Sequence, residues 1–422
     1  MKFLIVLGDG MADRPIAELG GKTVLQYANK PNMDNLAKKS EIGMVQTIPE
    51  GMEPGSGPAN MSVMGYSPEK YYTGRSPLEA VSLGIDMTDT DVAYRVNLVS
   101  LEMPTGACAG ARSMDGEVPF VYENTILKDY SSGEITTEES RQLIEALKPV
   151  INSANRKLYS GRSYRHCLIW DKGPLDVEFT PPHDITGRPV REYMPKGEGS
   201  LEIIELMKKS WEVLKDHPVN VKRRQEGKNT ADSIWLWGQG TKPATPNFTQ
   251  NYHMRGAMIS AVDLLYGLAR CSGLDLIEVE GATGTKETNF TGKANAAIKA
   301  FEDGIDYVYV HLEAPDECGH QGDRDGKVYS VETIDKKVLG PIWDYLEKNR
   351  EQTGEDYHIM VLPDHPTPLE IRTHAPDSVP YMLYRSECEV CGSDSYDEVV
   401  AAANKELAIG TAPELFERFI KS

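Results

Sequence analysis

Three short, largely apolar runs stand far apart in the chain, at residues 2–7 (KFLIVL), 306–311 (DYVYVH) and 357–362 (YHIMVL). Their length and their content of β-branched and aromatic residues are typical of buried strands. Each run is followed within a few residues by side chains that can bind a metal ion. These potential ligands are Asp9, Asp316, His320, Asp364, His365 and, further along, His374.

Helix-like spacing of apolar residues occupies the segments between such runs. It predicts helices over 25–39, 256–271 and 332–349, and a capping signal predicts a helix that begins at Thr137. Alternating strands and helices favour an α/β fold with a largely parallel sheet flanked by helices. Because the carboxyl ends of parallel strands form the ligand-binding edge, we expect the scattered ligands to converge there.

The stretch from about 110 to 180 has a different pattern, with a turn-rich entry (SMDGEVP), one helix and a β-like run at 165–170. We interpret residues 111–180 as a smaller inserted α+β domain that caps the substrate. Residues 1–110 and 181–422 are then the two parts of a discontinuous metal-binding catalytic core.

Charge and hydropathy narrow the class of protein. The 422 residues carry 45 basic and 64 acidic side chains, which gives a net charge of −19. This balance disfavours nucleic acid or an anionic membrane as a partner, because a general basic patch is missing. No apolar run reaches the roughly 20 residues of a membrane span, and the N-terminus lacks the anatomy of a cleavable signal. We therefore expect a cytoplasmic protein, and a small phosphorylated substrate would need local compensation of charge from metal ions and a few arginines.

The six cysteines are dispersed through the chain, which favours reduced thiols over a disulfide framework. Cys388 and Cys391 have zinc-knuckle spacing, but a structural zinc needs a second ligand pair and none lies nearby in the sequence.

The mixture of carboxylates and imidazoles suits two adjacent divalent cations. Ser56 lies in the run Pro54-Gly55-Ser56-Gly57-Pro58, which predicts a tight turn into a helix whose first amides could hold a phosphate. The chain has no GxxxxGK[ST] loop, and GDG lacks the spacing of a dinucleotide fingerprint. Phosphoryl transfer would therefore have to use a centre built from the metal ligands and a serine.

Eight segments spread over nearly the whole chain resemble the cofactor-independent phosphoglycerate mutases, in particular the shorter archaeal-type branch within the alkaline phosphatase superfamily. The segments are GDGMADRP (8–15), LGGKT (19–23), PNMDNLA (31–37), EPGSGPANMSVMGYSP (53–68), YYTGRSPLEA (71–80), TPPHDITG (180–187), EAPDECGH (313–320) and LPDHPTPLEIRTH (362–374).

The resemblance implies an alkaline-phosphatase-like core and interconversion of 3-phosphoglycerate and 2-phosphoglycerate through a phosphoserine, independently of 2,3-bisphosphoglycerate. It implies two divalent metal ions, with Mn²⁺ the first choice and Zn²⁺, Co²⁺ or Mg²⁺ as alternatives. Ser56 would be the nucleophile. The implied ligands of one ion are Asp9, Ser56, Asp364 and His365, and those of the other are Asp316, His320 and His374.

Two positions depart from the family pattern. Gly57 stands where an acidic residue usually follows the nucleophile, and Asn60 stands near the position of a frequent histidine. Since family membership does not settle the substrate, two alternatives stay open. One is a homoserine phosphotransferase that uses the same centre, and the other is a non-catalytic metal-binding regulatory protein.

Arginine's planar fork suits both the phosphate and the carboxylate of a phosphoglycerate. We therefore expect the substrate-binding groups to come from a set of arginines and from the PPHDITG segment. This set is Arg75, Arg95, Arg162, Arg165 and Arg255, together with His183 and Asp184.

Overall fold

The computed structural model describes residues 1–104, 120–388 and 390–421. Cys108 and the expected start of the insertion at residue 111 lie outside the described residues. The chain forms two compact units. The first unit comprises Met1–Tyr72 and Pro243–Ser422, and the second unit comprises Thr73–Lys242.

The strands are numbered in chain order. They are β1 Lys2–Gly8, β2 Glu41–Val45, β3 Asp91–Glu102, β4 Ile126–Asp129, β5 Arg156–Arg162, β6 Arg165–Asp171, β7 Val177–Glu178, β8 Lys196–Gly197, β9 Ser233–Thr241, β10 Gly256–Ile259, β11 Asp275–Ile277, β12 Tyr307–Leu312, β13 Tyr357–Leu362 and β14 Val379–Arg385.

The α-helices are α1 Val24–Tyr27, α2 Pro31–Ala37, α3 Ser56–Val63, α4 Pro68–Tyr71, α5 Arg75–Ser82, α6 Thr137–Ile151, α7 Ser200–Leu214, α8 Pro218–Gln225, α9 Phe248–Tyr252, α10 Asp263–Ser272, α11 Phe290–Glu302, α12 Ala314–Gln321, α13 Arg324–Ile334, α14 Gly340–Thr353, α15 Glu398–Ala403 and α16 Ala412–Ile420. Single 3-10 turns occupy Ala17–Leu19, Tyr122–Asn124, Pro182–Ile185, Val190–Tyr193 and Lys405–Leu407. None of the helices in the described ranges combines the length and apolar character needed to cross a membrane.

A seven-stranded sheet forms the centre of the first unit, in the order β11-β10-β12-β1-β13-β14-β2. The five strands from β11 to β13 run parallel, and β14 pairs antiparallel with β13 and with β2. Every residue of β1, β12 and β13 is buried, as expected for strands covered by helices on both faces. The predicted α/β class with a largely parallel sheet is confirmed.

An antiparallel sheet forms the second unit. Strands β4, β3, β6 and β5 lie side by side, and β9 also pairs with β3. Helices α6 and α7 pack on one face of this sheet around a core of its own. The second unit is wider than the expected insertion of 111–180, because β3 and β9 belong to its sheet and not to the central sheet. Both strands are rich in apolar residues, so their sequence pattern does not distinguish them from strands of the central sheet.

Some predicted helices differ from the observed ones. Residues 256–259 form the strand β10, and the helix begins only at Asp263. The predicted helix 25–39 is two helices separated at Ala28–Lys30, where Pro31 begins the second one. The helix start at Thr137 is confirmed, with the neighbouring Thr136 as the capping residue.

A buried ion pair connects the loop after β1 to helix α13. Lys327 Nζ lies 2.7 Å from Asp13 Oδ2, and both side chains are almost fully inaccessible to solvent. Lys327 also donates to the carbonyl oxygens of Ala12 at 3.2 Å and Thr367 at 2.9 Å. A buried ammonium is tolerated only when its donors are satisfied in this way. The pair therefore stabilises two of the loops at the carboxyl edge of the central sheet.

We predict that Lys327→Met lowers the free energy of unfolding by about 3–5 kcal/mol, because it leaves the Asp13 carboxylate buried without its cation. Urea unfolding of the wild type and the variant measures this difference. Lys299→Met is the control, since the exposed Lys299–Asp303 pair should contribute little. Equal unfolding midpoints for the two variants would contradict the prediction.

Candidate metal and phosphoryl-transfer site

The potential metal ligands follow three adjacent strands of the central sheet. Asp9 comes directly after β1, Asp316 lies on helix α12 after β12, and Asp364 lies two residues after β13. Since β12, β1 and β13 are parallel neighbours, their carboxyl ends meet at one edge. Strands that are far apart in sequence thus place these side chains in one cluster.

The first group of side chains is Asp9, Asp364 and His365, whose potential ligand atoms lie within 4.8 Å of one another. All three residues are buried. Ser56 Oγ reaches this group, at 3.4 Å from Asp9 Oδ2 and 3.3 Å from His365 Nε2. The serine hydroxyl thus lies beside two of the groups that would bind the same cation.

The second group is Asp316, His365 and His374, again within 4.8 Å. His320 joins it, because its Nε2 lies 3.2 Å from Asp316 Oδ2 and 3.0 Å from His374 Nε2. His365 belongs to both groups and therefore lies between them. The structure brings together all seven side chains that the sequence singled out for this site.

Two observations indicate that these side chains suit divalent cations. Asp9 Oδ1 is buried without a hydrogen-bond partner among the described residues, so it has lone pairs free for another ligand. Burial, together with the charges of Asp364 and Asp316, holds the pKa of Asp9 well above its ordinary value. A cation at this position would offset both the desolvation and the repulsion between carboxylates.

Two buried residues that the sequence analysis did not identify orient these side chains. His311 on β12 donates from Nε2 to Asp9 Oδ2 at 2.9 Å, while its Nδ1 accepts from Ser260 Oγ at 3.2 Å. Burial lowers the pKa of His311 to about 3, which keeps the imidazole neutral. The Thr367 hydroxyl donates to Asp316 Oδ1, and the hydroxyl oxygen itself lies 3.3 Å from His365 Nδ1. When His365 Nδ1 donates a hydrogen bond to this oxygen, His365 Nε2 is left free to bind a metal.

The residue after Ser56 is a glycine because the Tyr72 ring leaves no room for a side chain there. Ser56 is the first residue of α3, as predicted, so the positive end of the helix dipole lies at its hydroxyl. A Cβ at Gly57 would lie 2.7 Å from Cε2 of Tyr72 and 2.8 Å from the Tyr72 hydroxyl oxygen. Contacts this short do not occur, so any side chain at 57, acidic or not, would displace the Tyr72 ring.

The second unit carries most of the predicted substrate-binding residues. Glu79 accepts from both Arg75 at 2.7 Å and Arg95 at 3.1 Å. The Arg95 guanidinium also lies 4.3 Å from the centre of the Trp237 ring. Burial lowers the pKa of Arg95, the charge of Glu79 opposes this shift, and the charges of Arg75 and Arg165 add to it. On β6, Arg165 lies two residues before Cys167, which is the register partner of Arg95.

Aromatic rings extend this cluster. The His183 ring lies 5.4 Å from Trp237 and 6.1 Å from Tyr130. Tyr130 in turn contacts Tyr164, over which the Arg165 guanidinium lies at 4.8 Å. We name this surface the arginine surface. It consists of Arg75, Arg95, Arg165, His183, Tyr130, Tyr164 and Trp237, and neither Glu79 nor the aromatic residues were singled out from sequence.

Two further predicted residues lie next to the arginine surface. Arg162 pairs with Arg165 across the β5–β6 hairpin and is exposed. Asp184 is also exposed and lies 3.5 Å from His183 Nε2. The hairpin and the 3-10 turn at Pro182–Ile185 therefore bring these two side chains to the margin of the same surface.

Arg255 lies elsewhere. It precedes β10, at the amino end of a strand that runs parallel to β12, and it pairs with Asp275 at 3.6 Å. The metal-ligand cluster lies at the opposite, carboxyl ends of these strands. Arg255 was expected at the substrate because of the chemistry of its guanidinium, but its position before β10 puts it at the amino edge of the sheet.

The fold and the site together define the class of protein, an α/β protein with paired carboxylate and histidine groups beside a serine at a helix N-terminus, as in metal-dependent phosphotransferases. A family model described as 2,3-bisphosphoglycerate-independent phosphoglycerate mutase matches residues 37–220. Curated relatives match over far more of the chain. A protein of Geobacter sulfurreducens named "Probable 2,3-bisphosphoglycerate-independent phosphoglycerate mutase" is 46% identical over 94% of each chain. A Methanosarcina barkeri relative named 2,3-bisphosphoglycerate-independent phosphoglycerate mutase is 45% identical over 100% of each chain.

Two solved structures are similar to this chain over nearly its whole length. The PH0037 protein from Pyrococcus horikoshii is 29% identical, with a TM-score of 0.78 over 99% of this chain and 96% of that one. The cofactor-independent phosphoglycerate mutase from Thermoplasma acidophilum shares the fold, with 23% identity, a TM-score of 0.65 and coverage of 99% and 98%. The chain belongs to the 2,3-bisphosphoglycerate-independent phosphoglycerate mutase family.

We predict that metal-free protein binds two Mn²⁺ ions per chain. Asp364→Asn should weaken the binding of one ion and His374→Ala that of the other, each by about 10-fold or more, since even residues that only support ligands contribute that much. Calorimetric titration measures both affinities. His253→Asn, which alters an exposed histidine outside both groups, is the control. Two ions bound with wild-type affinity in both ligand variants would show that the ligand assignment is wrong.

Proposed function

We propose that this chain interconverts 3-phosphoglycerate and 2-phosphoglycerate through a phosphoserine at Ser56, without 2,3-bisphosphoglycerate. The observation that carries the proposal is the position of Ser56 Oγ, 3.4 Å from Asp9 and 3.3 Å from His365 at the N-terminus of α3. Full-length relatives that bear the mutase name support it.

The proposed ligands are Asp9, Ser56, Asp364 and His365 for one ion and Asp316, His320 and His374 for the other, with Mn²⁺ as the expected metal. When bound, two divalent cations would lower the pKa of the serine hydroxyl and neutralise charge on the transferring phosphoryl group.

In the first half-reaction Ser56 Oγ attacks the substrate phosphorus, and the bond from phosphorus to the glycerate oxygen breaks. The serine proton ends, on balance, on that glycerate oxygen. The glycerate then reorients, and its other hydroxyl attacks the phosphoserine, so that Ser56 recovers its proton as the phosphoryl group leaves. The α3 N-terminus favours the phosphoryl group at Ser56 through its dipole.

The second unit supplies the substrate-binding groups in this proposal. Arg75, Arg95 and Arg165 offer planar forks for the carboxylate and phosphate, with Arg162 and His183 next to them. Asp184, which pairs with His183, would accept from a glycerate hydroxyl. Arg255 is not part of this proposal, because it lies at the other edge of the central sheet. A cytoplasmic location stays a prediction.

We expect conversion of 3-phosphoglycerate with Mn²⁺ and no added nucleotide, and loss of this conversion in Ser56→Ala, which deletes the attacking oxygen and little volume. Coupled assays and mass spectrometry of the phosphorylated enzyme measure both. The same panel offers homoserine and ATP with Mn²⁺, Co²⁺, Mg²⁺ or Zn²⁺. No mutase activity with any metal, together with ATP-dependent phosphohomoserine formation, would replace the proposed substrate. Near-wild-type turnover of Ser56→Ala would remove Ser56 from its role.

We predict that Arg165→Lys raises the KM for 3-phosphoglycerate by about 10-fold while changing kcat less, because lysine cannot form a bidentate contact. Steady-state kinetics measure the two constants. Arg141→Lys, on the exposed face of α6, is the matched control and should leave both unchanged. An unchanged KM in Arg165→Lys would exclude this arginine from the substrate site.

A further inference from the structure

A buried asparagine connects the nucleophile helix to the metal ligand Asp364. Asn60 lies one turn after Ser56 on α3 and is inaccessible to solvent. Its Nδ2 donates to the Ser56 carbonyl at 2.9 Å and to Asp364 Oδ2 at 2.8 Å. The other Asp364 oxygen, Oδ1, accepts from the backbone amides of Gly10 at 3.1 Å and His365 at 2.9 Å. The carboxylate is therefore held at both oxygens.

A tyrosine on the neighbouring strand fixes the asparagine. Tyr309 on β12 donates its hydroxyl to Asn60 Oδ1 at 2.6 Å. Burial holds the pKa of Tyr309 well above its ordinary value, so the hydroxyl remains a donor. The two groups facing Asn60 Nδ2 can only accept, which makes this orientation of the amide the one that satisfies all three partners. Because the Tyr309 hydroxyl donates to Asn60 Oδ1, the Nδ2 group of Asn60 is the one that faces Asp364.

We propose that Asn60 and Tyr309 are positioning residues for phosphoryl transfer. They hold the first turn of α3 against the Asp364 carboxylate, and in this way they keep Ser56 Oγ beside Asp9 and His365. The inference rests on the proposed function of Ser56. Small errors of placement are expensive in such a site, since a shift of about 1 Å can lower a rate about 100-fold.

The chain contains a matched control for Tyr309. Tyr307 lies two residues earlier on β12, on the same face of the strand, and is also fully buried. Its hydroxyl, however, has no hydrogen-bond partner among the described residues. Tyr307→Phe and Tyr309→Phe therefore remove the same atom from two buried tyrosines on one face of β12, and only the second change breaks the connection to Asn60.

We expect Tyr309→Phe to lower kcat by about 10-fold, with KM for 3-phosphoglycerate within about twofold of wild type, because the substrate-binding groups are unchanged. Tyr307→Phe should leave kcat within about twofold. Equal kcat values for the two variants would overturn the inference. If Tyr309→Phe melts far below Tyr307→Phe, Asn60→Ala provides the test, and a wild-type kcat in that variant overturns the inference as well.

A second measurement needs no substrate and separates this inference from the proposed function. Tyr309→Phe should raise the Kd of the Mn²⁺ ion bound by Asp364 several-fold and leave the other Kd unchanged, because only Asp364 loses its alignment. Tyr307→Phe should change neither Kd. A wild-type protein that does not convert phosphoglycerates would contradict the proposed function and leave this result intact. Unchanged Kd values in Tyr309→Phe would contradict the positioning role.

Discussion

Repulsion among three buried carboxylates is the constraint that organises the first unit. Asp9, Asp316 and Asp364 meet at one edge of the sheet, where burial and mutual repulsion raise the pKa of Asp9. Such a cluster is stable only when cations and hydrogen-bond donors compensate it. The parallel arrangement of β12, β1 and β13 is what brings the three together, so the compensating groups must reach the same edge of the sheet.

Hydrogen-bond donors offset the repulsion at each of the three carboxylates. Asp364 accepts from Asn60 and from two backbone amides, Asp9 accepts from His311, and Asp316 accepts from Thr367. Gly10 is necessary for this arrangement, because its φ of +61° is left-handed and a Cβ there would lie 2.5 Å from Thr367 Oγ1 and 2.7 Å from Asp316 Oδ1. The glycine of the GDG segment therefore permits the close approach of the two loops.

The sequence identifies the clustered carboxylates and histidines far better than the residues that hold them in place. Few residue types bind divalent cations, and it is a conspicuous pattern that Asp9 directly follows one buried apolar run and His365 comes three residues after another. Tyr309 and Thr367 are common residue types whose role depends on a distant partner, 249 positions away for Tyr309 and 51 for Thr367. Tyr307 makes the point, since its spacing and burial equal those of Tyr309 while its hydroxyl has no described partner. The domain limits were missed for a related reason, because an apolar strand does not show which sheet it joins.

The net charge of the whole chain and the charge of the arginine surface have opposite signs. A protein of net charge −19 would repel a phosphoglycerate unless positive charge is concentrated locally. In the second unit the charges of Arg75 and Arg165 lower the pKa of Arg95, so the positive charges of these three side chains repel one another. Glu79 and the face of Trp237 offset only part of this repulsion. An anion bound at these arginines would offset the remainder, and a divalent cation bound among Asp9, Asp316 and Asp364 would in the same way offset the repulsion among those carboxylates.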